Sequence, residues 1–291
     1  MKTANSNKQV SQKKEWTTVL VPEEKLLNLK LREVIRYRDL IFLFVKRDFT
    51  TQYKQTILGP LWYVIQPLIS TVLFTFVFGN LARFSTNGIP YILFYYSGTM
   101  LWTFFEKCFK DSSDTFTTNA DVFSKVYFPR LTVPISKIFI NGIGLLIQFL
   151  LLLVFIIYFI VIKAPIHFKF YSLLFPLIVL WLALLGTGMG LIISAITTKY
   201  RDLKQLITFG MNLWMYGTPI VYPLSQVPEA YSWIFYLNPV SAPIELFRVW
   251  FYGAGNVSGQ MIASSLIMTA VFFFMGLVAF NKGERTFIDV V

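Results

Sequence analysis

A chain of 291 residues with 55% hydrophobic and 18% aromatic side chains, but only 14% charged ones, falls outside the range of soluble domains, which carry about 25% charge. Its mean hydropathy of +0.59 describes a polytopic membrane protein, and its net charge of +11 is spread over many short segments rather than gathered into a nucleic-acid face. One cysteine (Cys108) and one histidine (His167) exclude an intrachain disulfide and a Cys/His metal cluster.

Residues 1–23 are polar, basic and without period, with no apolar leader core, and read as a mobile cytoplasmic tail. From 24 to 56 the pattern turns helical. Leu27, Leu31, Val34, Ile41 and Val45 recur at helical spacing, with Arg36, Arg38, Lys46 and Arg47 between them. The apolar part is too short to span, so the segment reads as an amphipathic interface helix on the cytoplasmic membrane surface. The same pattern also suits a helix packed on a soluble partner.

Residues 57–291 form the transmembrane domain. It opens on Leu58-Gly59-Pro60-Leu61-Trp62-Tyr63-Val64-Ile65-Gln66-Pro67-Leu68. Gly59 breaks what precedes it, and Pro60 suits a first helical position, where a missing N–H costs nothing. Pro67, inside the helix, leaves the Tyr63 carbonyl without its donor four residues on and predicts a kink. Gln66 is a polar side chain in hydrocarbon, a position that normally faces protein or a water path. Six runs read as spans: about 57–78, 89–105, 134–162, 171–197, 206–221 and 261–280. The second and fifth are short for a hydrocarbon core of about 30 Å.

Orientation follows from the loops. Of the 26 Lys and Arg, twelve lie in 1–56, four in 106–133, three in 198–205 and two beyond 280, against four (Arg83, Lys163, Lys169, Arg248) in the opposite loops. The positive-inside rule puts both termini in the cytoplasm. The long outward segment 222–258 holds two apolar pieces, 233–237 and 244–252, punctuated by Pro223, Pro228, Pro239 and Pro243. These read either as a re-entrant hairpin or as a helix pair lying flat on the outer surface.

No Gly-x-x-x-x-Gly-Lys-Ser/Thr occurs, so the chain has no phosphate-cradling loop for ATP. No catalytic residue, cofactor or metal is expected. Asp111 and Asp114 suit charge at the start of a helix better than paired acid–base chemistry. Gly186, Gly188 and Gly190 offer a small-residue face for close helix contact, within the chain or with a second copy.

The wording LGPLWYVIQPL resembles the first-span signature of permease subunits in ABC transporters that export polysaccharides: O-antigen, capsule-type glycans and teichoic acids. Lys125-Val126-Tyr127-Phe128-Pro129-Arg130, Tyr200-Arg201-Asp202, Asn238-Pro239 and Glu284-Arg285 with Phe287 and Asp289 extend the resemblance from about Leu26 to Val291. It implies an all-α type-2 transmembrane domain: six transmembrane helices, an N-terminal amphipathic surface helix and an extracytoplasmic re-entrant hairpin. It further implies a homodimer in a bacterial inner membrane, two copies of a separate ABC ATPase subunit, and a lipid-linked polysaccharide as substrate. The chain itself would not be an enzyme. The ATPase would meet Asp111, Asp114, Asp121, Phe123, Lys125, Tyr127, Phe128 and Arg130 in the loop 106–133. Aromatic faces stack on sugar C–H faces while tolerating sliding, so the candidate substrate path is Trp62, Tyr63, Gln66, Tyr95, Tyr96, Trp102, Asn212, Trp214 and Tyr216; an interfacial aromatic belt would use the same residue types. A permease for a small lipid or drug shares this topology, and a passive channel needs no ATPase. A membrane glycosyltransferase is opposed by the absence of an Asp-x-Asp pair.

Overall fold

The computed structural model describes residues 31–54, 56–164, 169–197 and 203–290. The expected tail, the start of the expected interface helix and the Tyr200-Arg201-Asp202 motif lie outside these residues. Every regular element among the described residues is helical.

Where one interface helix is expected, two are observed: α1 (Leu31–Arg36) and α2 (Arg38–Tyr53), broken at Tyr37. Val34, Ile41 and Phe44 are buried against Phe123, Phe128, Leu277 and Phe280. Ile35, Phe42 and Leu43 stay exposed on the other side, so the pair presents one apolar face inward and a second outward. Gly59 then adopts φ +48°, a left-handed conformation that a side chain would resist. Pro60 opens the 3₁₀ turn Gly59–Leu61, which runs into α3 (Trp62–Phe74). The helix continues through Pro67, and the Thr71 hydroxyl donates to the Pro67 carbonyl at 2.7 Å. Its last turns, Thr75–Leu81, widen into a π-helix.

The remaining helices are α4 (Tyr91–Ser113), the short α5 (Thr115–Thr118) and α6 (Ala120–Phe123), α7 (Thr132–Val161), α8 (Phe175–Thr197), α9 (Leu203–Tyr216), α10 (Ser232–Leu237), α11 (Ser241–Tyr252) and α12 (Gly259–Val290). Four stretches are long and apolar enough to cross a membrane: Gly59–Leu81, Thr132–Val161, Phe170–Thr197 and Gly259–Glu284. The second and fifth expected spans are not among them. The 23 residues of α4 reach about 34 Å, but tyrosines, serines and terminal charges lower its hydropathy. The 14 residues of α9 reach only about 21 Å.

α8 is the axis on which the bundle closes. A Cβ at Gly186 would lie 2.7 Å from the Phe105 carbonyl of α4, and one at Gly190 would strike the Phe109 carbonyl. On the opposite side, a Cβ at Gly188 would lie 2.6 Å from Phe273 Cα of α12, where Gly276 meets the Gly188 backbone. The small-residue face is thus taken up inside one chain. α1, α2, α5 and α6 gather at one end of the bundle (basal), and α10 and α11 at the other (distal).

α10 and α11 form a hairpin whose tip is Asn238-Pro239-Val240. Ser264 and Ser265 of α12 donate to the Tyr236 and Pro239 carbonyls. Asn238 Nδ2 donates to the Gly217 carbonyl (3.2 Å) and to Thr218 Oγ1 (3.0 Å), tying the tip to the end of α9. Its Oδ1 accepts the Val240 N–H at 3.1 Å, which starts α11.

Candidate functional site

The residues proposed for a substrate path divide by burial. α4 is aromatic on every side, and α3 and α9 each rest on it through rings. Tyr95 and Tyr96 are fully enclosed by their own chain. Tyr95 meets Phe74 of α3 edge-on at 6.2 Å. The Tyr96 hydroxyl donates to the Gln148 carbonyl of α7 at 3.1 Å. Trp102 is buried, and half-buried Trp214 of α9 packs edge-to-face on it at 5.9 Å and on Phe105 at 5.4 Å. Tyr63 is buried beneath Gly144, its hydroxyl donating to Gln52 Oε1 at 3.3 Å, with the Lys107 ammonium 4.5 Å from its ring centre. Trp62 and Gln66 on α3, and Asn212 and Tyr216 on α9, are exposed. The chain thus brings Trp102 and Trp214 together but does not gather the nine residues into one lining.

The basal loop divides in the same way. Asp121, Lys125 and Tyr127 point outward, with Val126 beside them. Phe123 and Phe128 are buried, Phe128 against Phe44 of α2 at 5.6 Å between ring centres. Buried Arg130 donates from Nη1 to the Glu284 carbonyl of α12 at 3.0 Å, and its Nε lies 3.6 Å from Glu284 Oε1. Burial lowers the Arg130 pKa while the Glu284 carboxylate opposes that shift; the stacked Phe123 ring lies 5.2 Å away. Half-buried Asp111 accepts from Asn141 Nδ2 at 2.8 Å, and Asp114 pairs with Lys204 of α9 at 2.8 Å.

Two polar ties are invisible to the sequence reading above. Lys137 of α7 pairs with Asp48 of α2 at 2.8 Å, joining the basal helices to the bundle. Arg248, counted among the outward charges, is 1% exposed and pairs with equally buried Glu245 at 2.6 Å. The available signal was a Glu and an Arg three residues apart inside an otherwise apolar piece, since ionisable groups at such depth pair with one another. Among the described residues, no group of His, Cys, Asp and Glu could hold a metal ion.

The profile of the ABC-2 type transporter family matches residues 39–252. The O-antigen export system permease protein RfbA of Klebsiella pneumoniae is 27% identical over 266 residues, covering 91% of this chain and all of that protein. Its namesake from Myxococcus xanthus is 25% identical, over 90% of this chain and 98% of that protein. The polysialic acid transport protein KpsM of Escherichia coli is 22% identical, over 82% of this chain and 91% of its own length. With a profile match across most of its length, apolar helices of spanning length and an all-helical architecture, the chain belongs to the ABC-2 type transporter family as a membrane subunit.

Proposed function

We propose that the chain is the transmembrane subunit of an ATP-driven exporter of a lipid-linked polysaccharide. The observation that carries this reading is end-to-end similarity to relatives named for O-antigen export. The chemistry of the open faces agrees with it. Between 57 and 105 the one ionisable side chain with full-time charge is Arg83, and among aliphatic neighbours such as Ile69, Val72, Leu206 and Leu213 the exposed faces of α3 and α9 carry the aromatic and amide groups Trp62, Gln66, Asn212 and Tyr216. Such groups make weak, interchangeable contacts with successive sugars, whereas a charge within a span costs about 2.5–3.5 kcal/mol to insert and would trap an anionic cargo.

In this reading the chain crosses the inner membrane of a bacterium six times, with both termini and the basal end in the cytoplasm. α4 and α9 supply the second and fifth crossings, α1–α2 lies at the inner surface, and the α10–α11 hairpin re-enters from outside. Two copies bring the exposed faces of α3 and α9 together, so that Trp62, Gln66, Asn212 and Tyr216 line the path while Tyr63, Tyr95, Tyr96 and Trp102 back it. Two copies of a separate ATPase dock on Asp121, Lys125 and Tyr127. Asp111, Asp114, Phe123, Phe128 and Arg130 carry that load into the helices.

Two experiments test this. A tagged copy of the chain should bring down an ATPase subunit while binding no ATP alone, and its deletion should abolish surface glycan. Normal glycan in the deletion strain would overturn the cargo assignment. For orientation, Asn87 and Ser225 sit together at the distal end, the Ser225 hydroxyl donating to Asn87 Oδ1 at 2.7 Å. Cysteines at either should react with an impermeant maleimide from outside, and a cysteine at Thr117 should not; labelling of Thr117 in intact cells would invert the topology.

A further inference from the structure

Arg248 is the largest fully buried side chain among the described residues. Its Nη1 donates to Glu245 Oε1 (2.6 Å) and to the Pro219 carbonyl (2.5 Å), and Nη2 reaches the Ile220 carbonyl at 3.3 Å. The guanidinium carbon lies 3.6 Å from the centre of the Phe94 ring. The second Glu245 oxygen accepts the Asn256 N–H at 3.0 Å. One ion pair therefore joins α4, the turn after α9, α11 and the strand of chain that leads to α12. Gly98 makes room for it. A Cβ there would come 3.3 Å from Arg248 Nη2 and 3.1 Å from Ile220 Cγ2.

A buried ion pair is poor evidence of stabilisation, because desolvation offsets its attraction and two apolar side chains would hold the same helices as well. What apolar side chains cannot do is bind carbonyls. The turn at 217–222 has few backbone bonds of its own, and α9 buries only Met211 along its length. The arginine thus supplies donors for the carbonyls of a turn whose side chains Ile220 and Val221 sit in the core and whose first residues are tied by Asn238. Its bonding is also incomplete: Arg248 Nε and the Tyr95 hydroxyl are both buried, and neither has a hydrogen-bond partner among the described residues. A guanidinium with a further donor can exchange acceptors while staying buried, so the turn can part from it without exposing the charge to hydrocarbon.

We propose that Arg248, oriented by Glu245, is a positioning residue that clasps the 217–222 turn to α4 and α11, and that the turn leaves it whenever the distal end of α9 moves in transport. This rests on the reading of the chain as an ATP-driven exporter.

The test uses the full complex with its ATPase in membranes, with Ile220→Cys as reporter, since Ile220 is wholly buried. An impermeant maleimide applied from the distal side should label it slowly without ATP and about tenfold faster during turnover. Loss of charge-assisted bonds is worth about a tenfold change or more. Arg248→Gln should therefore label fast with or without ATP and lose export, while still bringing down the ATPase. Should that variant fail to accumulate, Arg248→Lys decides, because an ammonium keeps the charge but cannot span Glu245 and both carbonyls; it should label at an intermediate rate. Protection equal to that of the unsubstituted reporter in either variant overturns the clasp. So does the exchange Glu245→Arg with Arg248→Glu, if it restores both protection and export, since ion pairing alone would then suffice. Labelling that answers to ATP without any glycan exported removes the polysaccharide cargo and leaves the clasp; glycan export with ATP-independent labelling does the reverse.

Discussion

α8 and α9 follow each other in the chain and are held in opposite ways. α8 is locked by backbone contact: Gly186 and Gly190 against α4, and Gly188 against Gly276 of α12. α9 is fastened at points. Lys204 pairs with Asp114 at its start, Met211 and Trp214 touch the core midway, and Asn238 and Arg248 hold the turn at its end. A Cβ at Gly210 would meet nothing within 4 Å. α8 is the more apolar of the two helices, and close approach of its backbone to α4 and α12 is what locks it. Regions with few buried contacts open at the lowest cost, so within one chain α9 is held less firmly than α8.

The largest expected effect comes from wedging the locked side. Gly188→Val puts methyl groups into the backbone of α12, and overpacking of this kind costs about 1–3 kcal/mol or more. Loss of monodisperse complex on fluorescence-detected gel filtration is the expected outcome. Gly210→Ala on α9 should run like the unsubstituted protein. Equal behaviour of the two variants would dissolve the contrast.

Next comes the tie at the end of α9. Asn238→Ala removes two donated bonds and one accepted bond from a buried position, a loss of about 1–3 kcal/mol for each group left unsatisfied. The tie lies at the distal end, away from the basal loop, so the variant should assemble with the ATPase and hydrolyse ATP but export poorly. Full export in a vesicle assay would show that α9 does not need its anchor.

Much of this arrangement is legible in the residues and part is not. Gly59-Pro60 marks a helix start because φ and donor count are local properties, and Asn238-Pro239 marks a turn for the same reason. The two apolar pieces of 222–258 emerge within a few residues of α10 and α11. Burial inside the bundle is another matter. α4 carries aromatics on every side, so no polar stripe says which face is open, and Tyr95 and Tyr96 lie inside while Trp62 and Tyr216 lie outside. Arg248 is misread for a related reason. The positive-inside rule treats an arginine as a charge in a loop, whereas Glu245, the Pro219 and Ile220 carbonyls and the space at Gly98 come from three separate parts of the chain. Arg130 likewise suits a surface contact until Glu284, 154 residues away, takes its guanidinium.

A smaller effect is expected where α9 touches the core. Trp214 contributes a ring edge against Trp102 and Phe105 and is open on its other side. Trp214→Ala should lower export several-fold without reducing accumulation, because it removes two edge-to-face contacts, each worth about 0.5–1.5 kcal/mol beyond area burial. Trp214→Phe keeps a ring face and should retain most activity. An export assay run beside an ATPase pull-down separates the two properties, and wild-type export by the alanine variant would return this residue to a packing role.

The smallest effect belongs to the start of α9. Lys204 and Asp114 pair at 2.8 Å, but their side chains are 58% and 29% exposed. An ion pair so open to water is screened by salt and pays entropy to hold a long side chain, which leaves about 0–1 kcal/mol. Lys204→Gln should therefore leave the melting profile and export nearly unchanged, with any difference vanishing as ionic strength rises. The measurement is still decisive for the comparison of the two helices. If α9 swings about its basal end, weakening this pair changes little and weakening Asn238 changes much. An export loss from Lys204→Gln as deep as that from Asn238→Ala would move the hinge to the distal end, and the turn at 217–222 would then be the fixed point rather than the moving one.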